Sequence, residues 1–120
     1  PANLLLSDYS LSPAEFYKRA KFFVLPADVV FANHALLESM SYGVVPLVSN
    51  QEGSSLIVED GKNGFIFNHN KKDFETTVLK AARLTDEEYQ RMSSAAAEKI
   101  KNEFSHEKYY ESINHLYNLI

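Results

Sequence analysis

Four short, uninterrupted apolar runs, each closed by proline or polar turn residues, set the strongest limit on what this chain can fold into. They are Asn3-Leu4-Leu5-Leu6-Ser7, Lys21-Phe22-Phe23-Val24-Leu25, residues 44–48 and Phe65-Ile66-Phe67. A run of this length with no polar interruption suits a buried strand. The segments that alternate with them carry helix signals. Ser12-Pro13-Ala14-Glu15 reads as a capping box, with proline at the first helical position and a helix running to about Ala20. Asn33 is a candidate N-cap, with Ala35, Leu36, Leu37 and Met40 spaced for an inner face and Gly43 at the C-terminal cap. Strands alternating with helices imply parallel strands joined by right-handed crossovers. Pro46 inside the third run argues against full ladder pairing or places that strand at an edge.

The remainder reads as turns and helices. Asp60-Gly61 and Asn63-Gly64 are two turn signals, and Leu56-Ile57-Val58 is a brief apolar turn. Asn70 can cap a helix with Phe74, Val78 and Ala82 inward. Thr85-Asp86-Glu87-Glu88 is a second capping box, opening a helix with Tyr89, Met92, Ala96 and Ile100 on one side. Ser105 can cap a last helix carrying Tyr109, Ile113, Leu116 and Ile120. The expected fold is α/β: a Rossmann-like parallel sheet of about four strands, helices on both faces and a C-terminal helical cap. Four strands are few for a doubly wound sheet, so the chain reads as part of a larger domain.

Composition closes several routes. The 120 residues hold 12 Lys and Arg against 16 Asp and Glu, interspersed, which is no footprint for nucleic acid. With no cysteine, disulfides, thiolate catalysis and zinc–thiolate sites are excluded. No apolar run approaches the roughly 20 residues that cross a bilayer. A cytoplasmic setting is the expectation.

In an open parallel sheet, ligands bind beyond the carboxyl ends of the strands. That directs attention to residues 7–11, 26–33 and 49–55. The middle loop runs into a helix whose first amides, around His34, Ala35 and Leu36, face the loop. A helix start of this kind carries about half a positive charge and suits phosphate. Glu38, one turn in, is within reach of a group attached to that phosphate, and a carboxylate accepting two hydrogen bonds fits the vicinal hydroxyls of a ribose. On spacing alone, a simply packed helix with Glu38 in solvent remains open.

Four stretches in series resemble retaining GT-B glycosyltransferases of the glycosyl transferases group 1 family. The run from Ala20 through Phe22, Val24 and Pro26 to Ala27 resembles the strand and Pro-Ser pair before the donor loop. Ala35-Leu36-Leu37-Glu38-Ser39-Met40-Ser41-Tyr42-Gly43, continuing to Pro46 and Val48, resembles the family's LLEAMA-x-G helix and following strand. Glu59-Asp60-Gly61-Lys62-Asn63-Gly64-Phe65 resembles its EDG-x-NG signature, and Phe104-Ser105 with the helix to Leu116-Tyr117 resembles its tail. The resemblance implies the second half of a C-terminal donor-binding domain, residues 1–120 being one partial domain whose first strands and acceptor-side domain are absent. It further implies transfer of a sugar from a UDP- or GDP-linked donor to a glycan or lipid acceptor hydroxyl, with retention and with no cofactor or divalent metal. Glu38 is then the carboxylate on the donor ribose, and Asn33, His34, Ala35 and Leu36 the helix start at the pyrophosphate. Membrane association through the acceptor-side domain is the family's habit. The isolated fragment is expected to be inactive and, with exposed strand edges, to self-associate.

The chain departs from the family pattern in two places. The first glutamate of the family's pair falls at Val30, with Phe31 and Asn33 where glycines usually stand. The Gly-Gly-x-x-Glu stretch reads Glu52-Gly53-Ser54-Ser55-Leu56 here. A degenerate scaffold that has lost catalysis is the alternative these changes raise. A receiver-type module phosphorylated at Asp8 is weaker, since it lacks the further carboxylates and late-strand lysine it needs. His34 reads more readily as a capping or surface residue than as a base. His69, His106 and His115 read as solvated, and Tyr109, Tyr110 and Tyr117 as packing residues.

Overall fold

A computed structural model describes residues 14–28 and 33–104. The expected strand at residues 3–7 and the expected helix after Ser105 lie outside the described residues. Within them the order is α1 (Ala14–Arg19), β1 (Phe22–Leu25), α2 (His34–Ser41), β2 (Val45–Ser49), α3 (Ser54–Ile57), β3 (Phe65–Phe67), α4 (Lys71–Ala82) and α5 (Asp86–Glu103). The three strands form one parallel sheet in the order β1-β2-β3.

The local capping signals are realised as hydrogen bonds. Asn33 Oδ1 accepts from Leu36 N–H at 2.9 Å, and Asn70 Oδ1 from Asp73 N–H at 2.8 Å. Thr85 and Glu88 form the full reciprocal box, with bonds of 2.9 and 3.1 Å. At the far end of α2, Gly43 takes φ +77° while Gly43 N–H and Val44 N–H bond back to Met40 O and Ser39 O. That pair of bonds is the Schellman arrangement, which a side chain at the left-handed position would strain.

Side chains alternate along each strand, so the sheet buries two apolar layers. On one face Val48, Phe23, Leu25 and Ile66 meet Leu36 and Met40 of α2, Ile57 of α3, and Ala96 and Ile100 of α5. On the other, Val45, Leu47, Phe65 and Phe67 meet Phe74 and Ala81 of α4 and Tyr89 and Met92 of α5. The 18-residue α5 therefore serves both layers, its first half on one face and its second half on the other. It crosses at the amino ends of the strands. Tyr89 donates to the carbonyl of Lys21 just before β1, at 3.0 Å, and Ser93 donates to that of Gly43 just before β2, at 2.6 Å. Burial raises the Tyr89 pKa, which keeps that donor protonated.

Three expectations need correction. β2 is the central strand, not an edge, and every one of its residues is buried. Pro46 is tolerated because pairing with β3 begins only at Leu47↔Phe65, so its missing N–H falls before that ladder starts. Residues 61–63 form the turn expected there, and at Gly64 a Cβ would stand 2.6 Å from both Pro46 Cγ and Pro46 O, so the glycine admits the proline. In α4 the inward face is Phe74, Thr77 and Ala81, while Val78 and Ala82 are exposed. The Phe74 ring meets Phe67 edge-on at 5.0 Å, and the small Thr77 and Ala81 let the helix approach the sheet. The expected apolar turn at Leu56 is the short α3, with Ile57 and Val58 buried and Leu56 60% exposed.

Two outcomes follow for stability. Gly64→Ala forces Pro46 aside and should cost about 1–3 kcal/mol in urea unfolding, the usual range for overpacking. Gly61, with φ +81° and nothing within 4 Å of a Cβ, should lose only its conformational advantage on the same substitution. The second outcome concerns acid. Hydrogen bonds from the Thr85 backbone and side chain hold the Glu88 pKa below its ordinary value. A depressed carboxyl stabilises the fold above its unfolded pKa and loses that contribution as pH falls through the folded one. Acid titration of stability should thus show a steeper loss below about pH 4 in the wild type than in Glu88→Gln.

Candidate functional site

With α5 laid across the amino ends, the carboxyl ends of the strands are left to the loops. Ser49, fully buried at the end of β2, donates to Ala27 O and lies 3.4 Å from Leu25 O, fastening the chain where it leaves β1. Ser54 donates to Ser49 O and accepts from Gln51 N–H, closing the loop after β2. Across the ends of β2 and β3, Asn50 donates to Asn68 and Gln51 meets His69 Nδ1, both at 3.2 Å. His69 is exposed. His106 and His115 lie outside the described residues, as do Tyr109, Tyr110, Tyr117, Asp8 and Val30.

The helix start is formed as the spacing requires. Asn33 sits in extended conformation ahead of α2 and takes the Leu36 amide with its own side chain. The side chain of Leu36 is fully buried in the core beneath. Within an α-helix the first amides have no partner of their own. The cap answers that of Leu36, so His34 and Ala35 are the positions whose amides the helix leaves to other acceptors. His34 is exposed and Ala35 half-buried. Glu38 follows one turn later and is exposed.

Glu38 has a neighbour that the sequence did not single out. Tyr17 of α1 lies with its ring 5.9 Å from that of Tyr42 and 6.5 Å from that of Phe23. Its pKa is raised, by partial burial first and then by the charge of Glu38 and a hydrogen bond to it. No local pattern flags this contact, because it joins two helices across β1.

Two surface concavities among the described residues lie elsewhere. One runs along the outer face of α5, from Asp86 to Glu98. The other, between Gly61, Lys62, Phe65 and Met92, is at the amino end of β3. Neither includes the start of α2. No helix among the described residues is long and apolar enough to cross a membrane.

Residues 4–99 match the family model described as glycosyl transferases group 1. The chain belongs to that family. Among solved structures, a glycosyltransferase from Rickettsia africae ESF-5 resembles this group 1 chain with a TM-score of 0.80 at 14% identity. The likeness covers 90% of this chain but 29% of that one, so the chain spans less than a third of that protein's length. At such identity the match speaks to the α/β fold. A comparison with curated proteins gives no match.

Asn33→Ala should release the Leu36 amide and lower stability by about 1 kcal/mol, as loss of an N-cap commonly does. Asn33→Asp should retain the cap, and paired urea unfolding curves distinguish the two.

Proposed function

We propose that this group 1 chain is the nucleotide-sugar-binding part of a GT-B glycosyltransferase that moves a sugar from a nucleoside diphosphate to an acceptor hydroxyl with retention. The observation that carries the reading is the start of α2, at the carboxyl side of the sheet, with Glu38 one turn behind it. In this reading the diphosphate lies against the His34 and Ala35 amides, where the helix dipole offsets its charge. Asn33 and Leu36 serve by holding that turn in shape. Glu38 accepts hydrogen bonds from the two ribose hydroxyls. As the bond to the sugar breaks, negative charge grows on the diphosphate, and fixed dipoles already aimed there stabilise it without a divalent ion. The protein acts in the cytoplasm, with a UDP- or GDP-linked donor and a glycan or lipid acceptor.

The test is titration of the full-length protein with UDP and with GDP, by calorimetry and by thermal shift. One of the two should bind, and Glu38→Ala should weaken that binding about tenfold or more, in keeping with hydrogen bonds made to a charged group. Absence of any response to both nucleotides would instead favour a scaffold that has given up the donor, consistent with Val30 and Leu56 standing where the family pattern has carboxylates.

A further inference from the structure

Asn63-Gly64 is the chain's one Asn-Gly pair, and the fold makes a separate demand on each member. Asn63 is 3% exposed. Its Oδ1 accepts from Glu59 N–H at 2.8 Å, and its Nδ2 donates to Ile57 O at 3.2 Å. Ile57 is the last residue of α3, where a helix leaves its carbonyls without a partner, and it is fully buried. The Asn63 carboxamide therefore answers a carbonyl that water cannot reach. Gly64 is fixed from the other side, since a Cβ there would meet Pro46 O at 2.6 Å.

Asparagine followed by glycine is chemically labile, because no Cβ shields the glycine nitrogen. That nitrogen can attack the asparagine Cγ. A new C–N bond closes a succinimide, the bond from Cγ to the carboxamide nitrogen breaks, and ammonia leaves with the glycine proton. Water then opens the ring to aspartate or to isoaspartate, in which the main chain runs through the former side chain. In the folded chain, closing the ring must rotate the carboxamide and expel its nitrogen, which breaks the bonds to Glu59 and Ile57. The turn is further tied by Gly61 N–H to Gly64 O at 2.8 Å, and by the Lys62 and Asn63 amides to Glu59 O at 3.0 and 3.2 Å.

We propose that Asn63 is a modification site gated by unfolding: the native turn suppresses its deamidation, and opening of that turn releases it. The product then opposes refolding. An ionised carboxylate cannot donate to Ile57 O, and burying its charge there without a partner is costly. Isoaspartate also lengthens the main chain and displaces Gly64 from its place against Pro46. A transient opening is converted in this way into a permanent loss.

The experiment incubates the full-length protein at mildly alkaline pH, in buffer and in urea, and follows residue 63 by peptide mass spectrometry. The unfolded chain should accumulate aspartate and isoaspartate at this position. The native chain should do so about tenfold or more slowly, as two hydrogen bonds that must break first imply. Equal rates in the two states, or an unfolded chain that keeps its amide, overturn the proposal. The product is tested with Asn63→Asp, which should unfold at a lower urea concentration than the wild type or fail to fold. A midpoint equal to that of the wild type would show that the fold accepts the acid, and the permanent loss would be refuted.

Discussion

All five residues of β2 are shut away from water, so each backbone group on that strand has to be answered by the sheet or by a nearby side chain. The neighbours are arranged around this demand. β1 and β3 answer it laterally, Ser54 takes the carbonyl at the carboxyl end, and Pro46 is allowed because it has no N–H to satisfy where β3 has not yet begun. Gly64 then has to lack a side chain, since the proline occupies the space one would need. A glycine that reads locally as part of a turn is held there by a contact 18 positions back in the chain.

The same arrangement decides where a ligand can approach. Two hydroxyls on α5 engage the carbonyls just ahead of β1 and β2, and so seal one rim of the sheet. The opposite rim is built from loops and from the start of α2. Its polar groups are tied to one another, Ser49 to the end of β1 and Gln51 to Ser54, rather than to the core. Those ties shape the turn after β2 and fasten Ala27 to it, while His34 and Glu38 lie at the surface.

How far the sequence foretold this depended on distance along the chain. The caps at Asn33, Asn70 and Thr85, and the left-handed Gly43, are encoded within a few residues, and each was legible. So were three strands, because an apolar run bounded by breakers has few other uses. What escaped was set by packing between distant elements. The central place of β2 depends on where β3 starts its pairing. The face of α4 was misread by about one position, because Thr77 and Ala81 approach the sheet more closely than Val78 and Ala82. The start of α2, with Glu38 one turn in, was legible from spacing, whereas the packing of Tyr17 on Tyr42 emerges only once α1 is laid beside α2.

Because Met92 belongs to one apolar layer and Ala96 and Ile100 to the other, α5 links the two energetically. Neither layer can loosen alone without pulling on a helix that also supports its opposite. In a thin sheet flanked by short helices, this link favours one cooperative transition over stepwise fraying, and amide exchange in β1 and β3 should then report the same opening free energy. A helix laid across one rim of the sheet would in this way govern how rigidly the start of α2 on the opposite rim is held.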